Sequence, residues 1–333
     1  MRSDSIVIIH SPFAIRNSSI MFSSLLAVIF PTFGIIAIGW YCRVRGIFTH
    51  EAIRGLSGYA YLIALPALIF ESVFGVAVRG GFTAMDFRYL LGLAVGHALI
   101  FVIAALVLVR ARRELRTFGP VLLALGATAY LGIPFATFAF GEQGTAIASL
   151  GSVTVFVSML LASLVLLNRS GQREHRTTLH ELLHLPFLWM VLLGLLLPFV
   201  GVYELPVFLV RTISILSASA GPTALLALGA FQHDLKLARV PWRWAIPLGI
   251  GKVLLPAIAS IAALMLLGVT GLPLAVGAVL SCTSVAVTAF VLSDEYHLAR
   301  ELTAGTIIIS TITSLIALST IAWLWIGTGV FTR

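Results

Sequence analysis

The chain is an almost unbroken succession of apolar runs, each about as long as a hydrocarbon core is thick, and this excludes most folds before any motif is read. A helix needs about 20 mostly apolar residues to cross a bilayer. Runs of that kind are predicted at Phe22 to Cys42, Leu56 to Phe74, Phe87 to Val109, Pro120 to Phe140, Thr145 to Leu167, Pro186 to Val200, Val207 to Leu228, Ala245 to Gly268, Leu272 to Leu292 and Gly305 to Gly327. Hydrophobic residues make up 59% of the 333 and charged residues only 10%, against roughly 25% charged in a soluble domain. No room remains for a soluble domain, and the expected class is an all-α integral membrane protein. Cys42 and Cys282 lie in or beside apolar runs, so no disulfide framework is expected. Residues 1–20 form an N-terminal extension. Its apolar run from Ile6 to Ile9 is too short for a signal peptide, and Met21 stands where translation could also begin.

With ten runs the connections alternate sides, and their basic residues divide unevenly. Fourteen, including Arg43, Arg45, Arg110, Arg112, Arg113, Arg116, Arg169, Lys236 and Arg243, fall on one side and six on the other. By the positive-inside rule the richer side is cytoplasmic and both termini lie outside. The net charge of +8 thus reads as a topology signal and not as a nucleic-acid surface. The longest connection, 168–185, falls at the midpoint. It separates a first five-helix repeat, 21–167, from a second, 186–333, and an odd number of spans per half forces the halves into opposite orientations. Pro66 in the second span and Pro222 in the seventh are corresponding interruptions.

Chemistry is expected in the fourth and ninth spans. Pro134 closes the stretch Gly126-Ala127-Thr128-Ala129-Tyr130-Leu131-Gly132-Ile133-Pro134 and cannot donate to the Tyr130 carbonyl, so a kink or break is expected there. Such breaks are tolerated where the backbone is buried in protein or lines a cavity. In the ninth span Ser281, Ser284 and Thr288, with Thr283 beside them, are spaced for one helical face opposite Thr128 and Tyr130. The similar series Thr306, Ser310 and Ser314 in the last span is read as packing. Ionisable groups inside spans are costly and therefore informative. Lys252 could attract an anion or replace a coupling cation, though its position also lets it snorkel to the cytoplasmic side. His97 could titrate with a coupled proton, and Glu71 reaches toward the outer interface. His180-Glu181-Leu182-Leu183-His184 fits the H-E-x-x-H pattern of zinc proteases. Pro186 ends its helix early and no third ligand is at hand, so a solvated loop helix is the stronger reading.

An ordered series of motifs then points to a family. Phe30-Pro31-Thr32-Phe33-Gly34 with Ile38-Gly39-Trp40, Leu65-Pro66-Ala67-Leu68-Ile69-Phe70, Leu131-Gly132-Ile133-Pro134 with Phe140-Gly141, Leu228-Gly229-Ala230, Lys252 with Pro256, and Ala289-Phe290-Val291-Leu292 resemble the auxin efflux carrier family over nearly the whole chain. That family includes bacterial malonate permease-like proteins and plant PIN carriers. The resemblance implies ten transmembrane helices as two inverted five-helix repeats, with spans four and nine interrupted and crossing. It also implies an elevator-like carrier of a small organic anion such as malonate or an auxin-like acid. Thr128, Tyr130, Gly132, Pro134, Ser281, Thr283, Ser284 and Thr288 would line the anion site. The chain departs from the family pattern at Ala127 and Thr288, where asparagine is usual, and at Ser284, where proline is usual. Nothing local between Ser281 and Leu292 explains a break. The expected partners are the anion, membrane lipid and a coupled sodium ion or proton, with a homodimer left open. No cofactor, no metal, no nucleic acid and no enzymatic activity are expected. The alternatives are a cation-coupled symporter or antiporter of the related bile-acid-symporter-like fold, and a membrane zinc protease.

Overall fold

The computed structural model describes residues 18–78, 83–169 and 186–328, and the regular elements among them are helices. In chain order they are α1 (Ser18–Val44), α2 (His50–Tyr59), α3 (Leu65–Val78), α4 (Ala84–Val107), α5 (Arg113–Ala124), α6 (Ile133–Arg169), α7 (Pro186–Phe199), α8 (Val207–His233), α9 (Trp242–Leu266), α10 (Gly271–Ser281), α11 (Val287–Glu295) and α12 (Arg300–Thr328). Seven segments are long and apolar enough to cross a membrane, and α7 and α10 are shorter apolar helices. Hence the protein is a multi-pass membrane protein. The zinc-protease-like stretch 180–184, residues 1–17 of the N-terminal extension and nearly all of the connecting loop lie outside the described residues, while residues 18–20 of the extension belong to α1.

Several helices run past the apolar stretches because polar side chains close their first turns. Thr49 accepts from the Ala52 amide at 3.2 Å, so α2 starts at His50, six residues before the predicted Leu56. Thr83 and Asp86 cap α4 reciprocally, at 2.8 and 3.2 Å.

Two prolines are accommodated by the turn before them. A π turn, Ala60–Ala64, joins α2 to α3, its last bond running from the Leu65 amide to the Ala60 carbonyl, and Pro66 follows. A second π turn, Thr128–Gly132, leads into α6 ahead of Pro134. The expected break at Pro134 is therefore displaced. Pro134 follows directly on that π turn, whose wider pairing accommodates the missing N–H and the ring, and the chain departs from helix earlier, at residues 125–127. Within α6 the backbone reverses at Gly141, with φ 67° and ψ −156°, a conformation open to glycine. The segment Thr128–Asn168 spans 41 residues, about 60 Å as helix and twice a bilayer core.

The helices pack in two groups. In one, α1 lies along α8, and α3 lies against α7 and α8. In the other, α4 packs on α9, and α9 packs on α10 and α12. Small residues let these backbones touch. A Cβ on Gly39 would strike the Leu226 carbonyl oxygen, and one on Gly229 the Ile36 carbonyl oxygen, so α1 and α8 meet backbone to backbone. Gly96 against Ser260 does the same for α4 and α9.

At one end of α1 and α8 a charged knot ties three elements together. Arg43 Nε donates to Asp234 Oδ1 at 2.6 Å, while His50 Nδ1 and His233 Nδ1 stand 3.3 and 3.4 Å from the same carboxylate. Partial burial pushes the Asp234 carboxyl up. Hydrogen bonds from Arg43, His233 and His50 outweigh it and hold the group below the usual carboxylate range. A depressed carboxyl stabilises the fold above its unfolded value, about 3.9, and that stabilisation is lost as pH falls through the folded value.

Two outcomes are expected. Gly39→Ala or Gly229→Ala should cost about 1–3 kcal/mol, seen as a lower melting temperature in detergent. Gly58→Ala, which meets nothing within 4 Å, should not. Asp234→Asn should lower the melting temperature at neutral pH, with the difference from wild type closing below about pH 4.

Candidate functional site

The site is built where two interrupted helices meet. After α5 the chain is extended, with Leu125 at φ −80°, ψ 104°, and between α10 and α11 residues 282–286 are likewise non-helical. The two breaks pair with each other. The Ala127 amide donates to the Ser284 carbonyl at 2.8 Å and the Ala286 amide to the Leu125 carbonyl at 3.1 Å, forming an antiparallel bridge between Gly126 and Val285. Unpaired backbone groups at membrane depth are very costly, and this exchange satisfies four of them. The Val285 amide donates to Ser310 Oγ at 3.0 Å. The interruption between α10 and α11, which no local proline or glycine supports, is therefore held from outside, by its partner break and by α12.

Glycines allow the close approach. A Cβ on Gly126 would lie 2.7 Å from Thr283 Oγ1 and 3.1 Å from Lys252 Nζ, and one on Gly132 would lie 2.7 Å from the Leu280 side chain and 3.2 Å from Thr283 Cγ2. Of the residues singled out in the sequence, Thr128, Gly132, Pro134, Ser281, Thr283 and Ser284 are all buried around this crossing, while Tyr130 and Thr288 are half-buried. Thr128 accepts from Ser152 Oγ at 2.9 Å. Tyr130 sends its hydroxyl to the Ser57 carbonyl at 3.3 Å and so links the break to α2. Ser281 and Thr283 donate back to Gly277 and Leu280, each at 2.8 Å. The Ser284 hydroxyl is buried without a partner.

Three expectations are corrected. Ser281, Ser284 and Thr288 do not share a helical face, because the chain unwinds between the first and the last of them. Lys252 does not snorkel: it is fully buried, and its Nζ has no hydrogen-bond partner. Ser310 is not packing alone, since it holds the Val285 amide. His97 is fully buried as well. Its Nδ1 meets the Leu93 carbonyl at 2.9 Å and Ser260 Oγ at 3.2 Å, and its Nε2 has no partner. Cys282, Ser152 and Ser310 were not legible as site residues, for a buried hydroxyl or thiol in a span carries the same local pattern whether it packs or holds a break.

The electrostatics of the crossing are ordered. The second halves of both interrupted helices begin here, at Thr128 and Val287, behind alanines that provide no side-chain cap. Their positive dipole ends are brought together by the Gly126–Val285 bridge, and the Lys252 Nζ lies beside Gly126. Beyond Pro134 a cavity of about 760 Å³ opens between α3, α6 and α8, with Glu71, Ser72, Thr137, Glu142, Ser217 and Pro222 on its walls. Among the described residues no group of three or more His, Cys, Asp or Glu side chains could hold a metal ion.

Ser310→Ala should leave the buried Val285 amide unpaired and cost about 1–3 kcal/mol. Ser314→Ala, which removes a hydroxyl already without a partner, should be neutral or stabilising; thermal denaturation of the two variants side by side checks this.

The comparisons with known proteins agree with these features. A family model described as "membrane transport protein" matches residues 24–322. A protein of Methanocaldococcus jannaschii named an uncharacterized transporter is 27% identical over 303 residues, covering 88% of this chain and 95% of that one. With the crossing in place and the match running nearly end to end, the chain belongs to the membrane transport protein family, the auxin efflux carrier family that its motifs resemble.

Proposed function

We propose that this transporter carries a small organic anion, a mono- or dicarboxylate, and binds it at the crossing of the two interrupted helices. The observation that carries the reading is the convergence of two uncapped half-helix N-termini at the Gly126–Val285 bridge, with a buried, partnerless ammonium beside Gly126. Helix N-termini in a dry environment favour anions, and an ammonium buried without a partner is costly until an anion meets it. Neither break contains a carboxylate, which a site built for a cation would use.

In this reading the chain crosses the membrane ten times. The spans are α1, α2 with α3, α4, α5 with residues 128–140, residues 141–169, α7, α8, α9, α10 with α11, and α12. The halves form inverted repeats. In support, the fourth and ninth spans are the interrupted ones. The contact of the first span with the seventh, α1 on α8, has its counterpart in the contact of the sixth with the second, α7 on α3. The group containing α1, α3, α7 and α8 serves as scaffold. The group containing α4, α6, α9 and α12, with the crossing inside it, moves against it as an elevator. The cavity lies between the groups, and Glu71 and Glu142 make its wall a poor resting place for an anion, which favours the crossing as the site. The end bearing Arg43 and Asp234 is cytoplasmic, with both termini outside.

An inside-negative potential then drives export: one charge moved through 100 mV is worth about 2.3 kcal/mol, some fifty-fold in concentration. In proteoliposomes tested with malonate, succinate, acetate and indole-3-acetate, at least one is expected to move electrogenically, and Gly126→Val should abolish the flux. Failure of every carboxylate under every gradient, or a sodium flux with no organic substrate, overturns the reading.

A further inference from the structure

The cavity between the two helix groups carries charge of one sign. Glu71 of α3 and Glu142 of α6 line it, and no Lys, Arg or His is among the described residues on its walls. Neither carboxylate has an ion-pair partner among the described residues. Glu71 stands midway along an apolar helix, where an ionised group is kept only against a partner or a water-filled space and marks a substrate path.

The cavity lies at the end of the molecule opposite the Arg43–Asp234 knot. Glu71 and the cavity residue Ser214 are each about 20 residues along their helices from His50 and His233 of the knot, about 30 Å and so the thickness of a hydrocarbon core. On its inner side the wall includes Pro134, directly after the π turn that leads from the crossing, and a Cβ on Gly221 of α8 would lie 3.5 Å from Pro134 Cβ. We propose that this cavity is the outer vestibule of the anion path and that Glu71 and Glu142 make it an electrostatic valve, which slows the entry of external anions, speeds the departure of released ones and penalises dianions more than monoanions. Charges of one sign in a low-dielectric cleft focus their field along its opening. The work of bringing an ion against that field scales with the ion's charge, so a dicarboxylate meets about twice the barrier of a monocarboxylate. The carboxylates change rates and apparent affinity at this face; the final gradient is still set by the membrane potential and the concentrations.

The valve rests on the anion-carrier reading, whereas the sign of the vestibule does not, and two measurements separate them. In the first, Ser214, which is exposed to the cavity, is replaced by Cys in full-length Cys42→Ser protein, whose remaining cysteine, Cys282, is buried. Its reaction rates with a cationic and an anionic methanethiosulfonate are compared. The ratio of cationic to anionic rate should exceed that of free cysteine, and should fall toward it when Glu71→Gln and Glu142→Gln are added, singly and together. A ratio no higher than that of free cysteine, or one that ignores both substitutions, overturns the proposal. In the second, uptake of malonate and of acetate is measured in intact cells, where every copy has one orientation, and corrected for cells that lack the protein. At an ionic strength of about 10 mM, osmolarity held with sucrose, the Glu71→Gln/Glu142→Gln protein should show an external KM about tenfold lower for malonate and about threefold lower for acetate. Both differences should shrink at about 150 mM, where charges are screened beyond about 8 Å. Equal changes for the two anions, no change, or a change insensitive to salt overturns the valve. If wild type moves no carboxylate, the anion reading falls while the reagent ratio still decides the sign of the vestibule.

Discussion

Four backbone groups exchanging two hydrogen bonds hold the centre of this molecule together. In a bilayer an open chain break is ruled out unless its amides and carbonyls find partners within the protein. The Gly126–Val285 bridge makes each break the partner of the other. Much else in the second helix group follows from that exchange. Glycine must stand at 126 because Thr283 and Lys252 close over it, and at 132 because Leu280 packs there. Ser310 must present an oxygen to the amide that the bridge leaves over.

The architecture also separates tightly packed contacts from a loosely packed one. The α1–α8 contact is backbone on backbone, and the Arg43–Asp234 knot ties the ends of the same two helices to the start of α2. Packing of that kind leaves little room for sliding. The interface of α3 and α8 with α6 is different, for it contains a cavity of about 760 Å³ instead of interdigitated side chains. Tyr130 bridges the two sides of that interface with one hydrogen bond to a carbonyl, a tie that costs little to break.

The membrane class and the helix order were legible because run length and polarity report directly on the hydrocarbon core. The lengths of α2 and α8 were less so, since their polar ends extend past the apolar runs. The fourth span was half legible. Pro134 signalled an irregularity, yet the π turn at 128–132 absorbed the proline and the break fell at Gly126, one of several glycines with nothing local to distinguish it. The ninth span was illegible from its own residues, because its break is imposed by contacts with Leu125, Ala127 and Ser310, all more than 20 positions away in sequence. Lys252 was visible as a charge in an apolar run. Its depth was not, for whether a lysine snorkels depends on what neighbouring helices cover. Ser310 and Ser314 look alike in the sequence, and only the tertiary structure gives one of them an amide to hold.

The π turns ahead of Pro66 and Pro134 each place one more residue in a turn than an α-helix would. One residue is about 100° of rotation about the helix axis. Everything downstream is therefore turned by more than a quarter circle relative to an uninterrupted helix. Glu71 and Ser72 lie beyond the first π turn, and Pro134 and Thr137 beyond the second, and all four line the cavity. Which side of each helix faces that space is thus decided several residues upstream, at a widened turn. Shortening either turn by one residue would re-aim the wall of the cavity without altering a single residue that lines it.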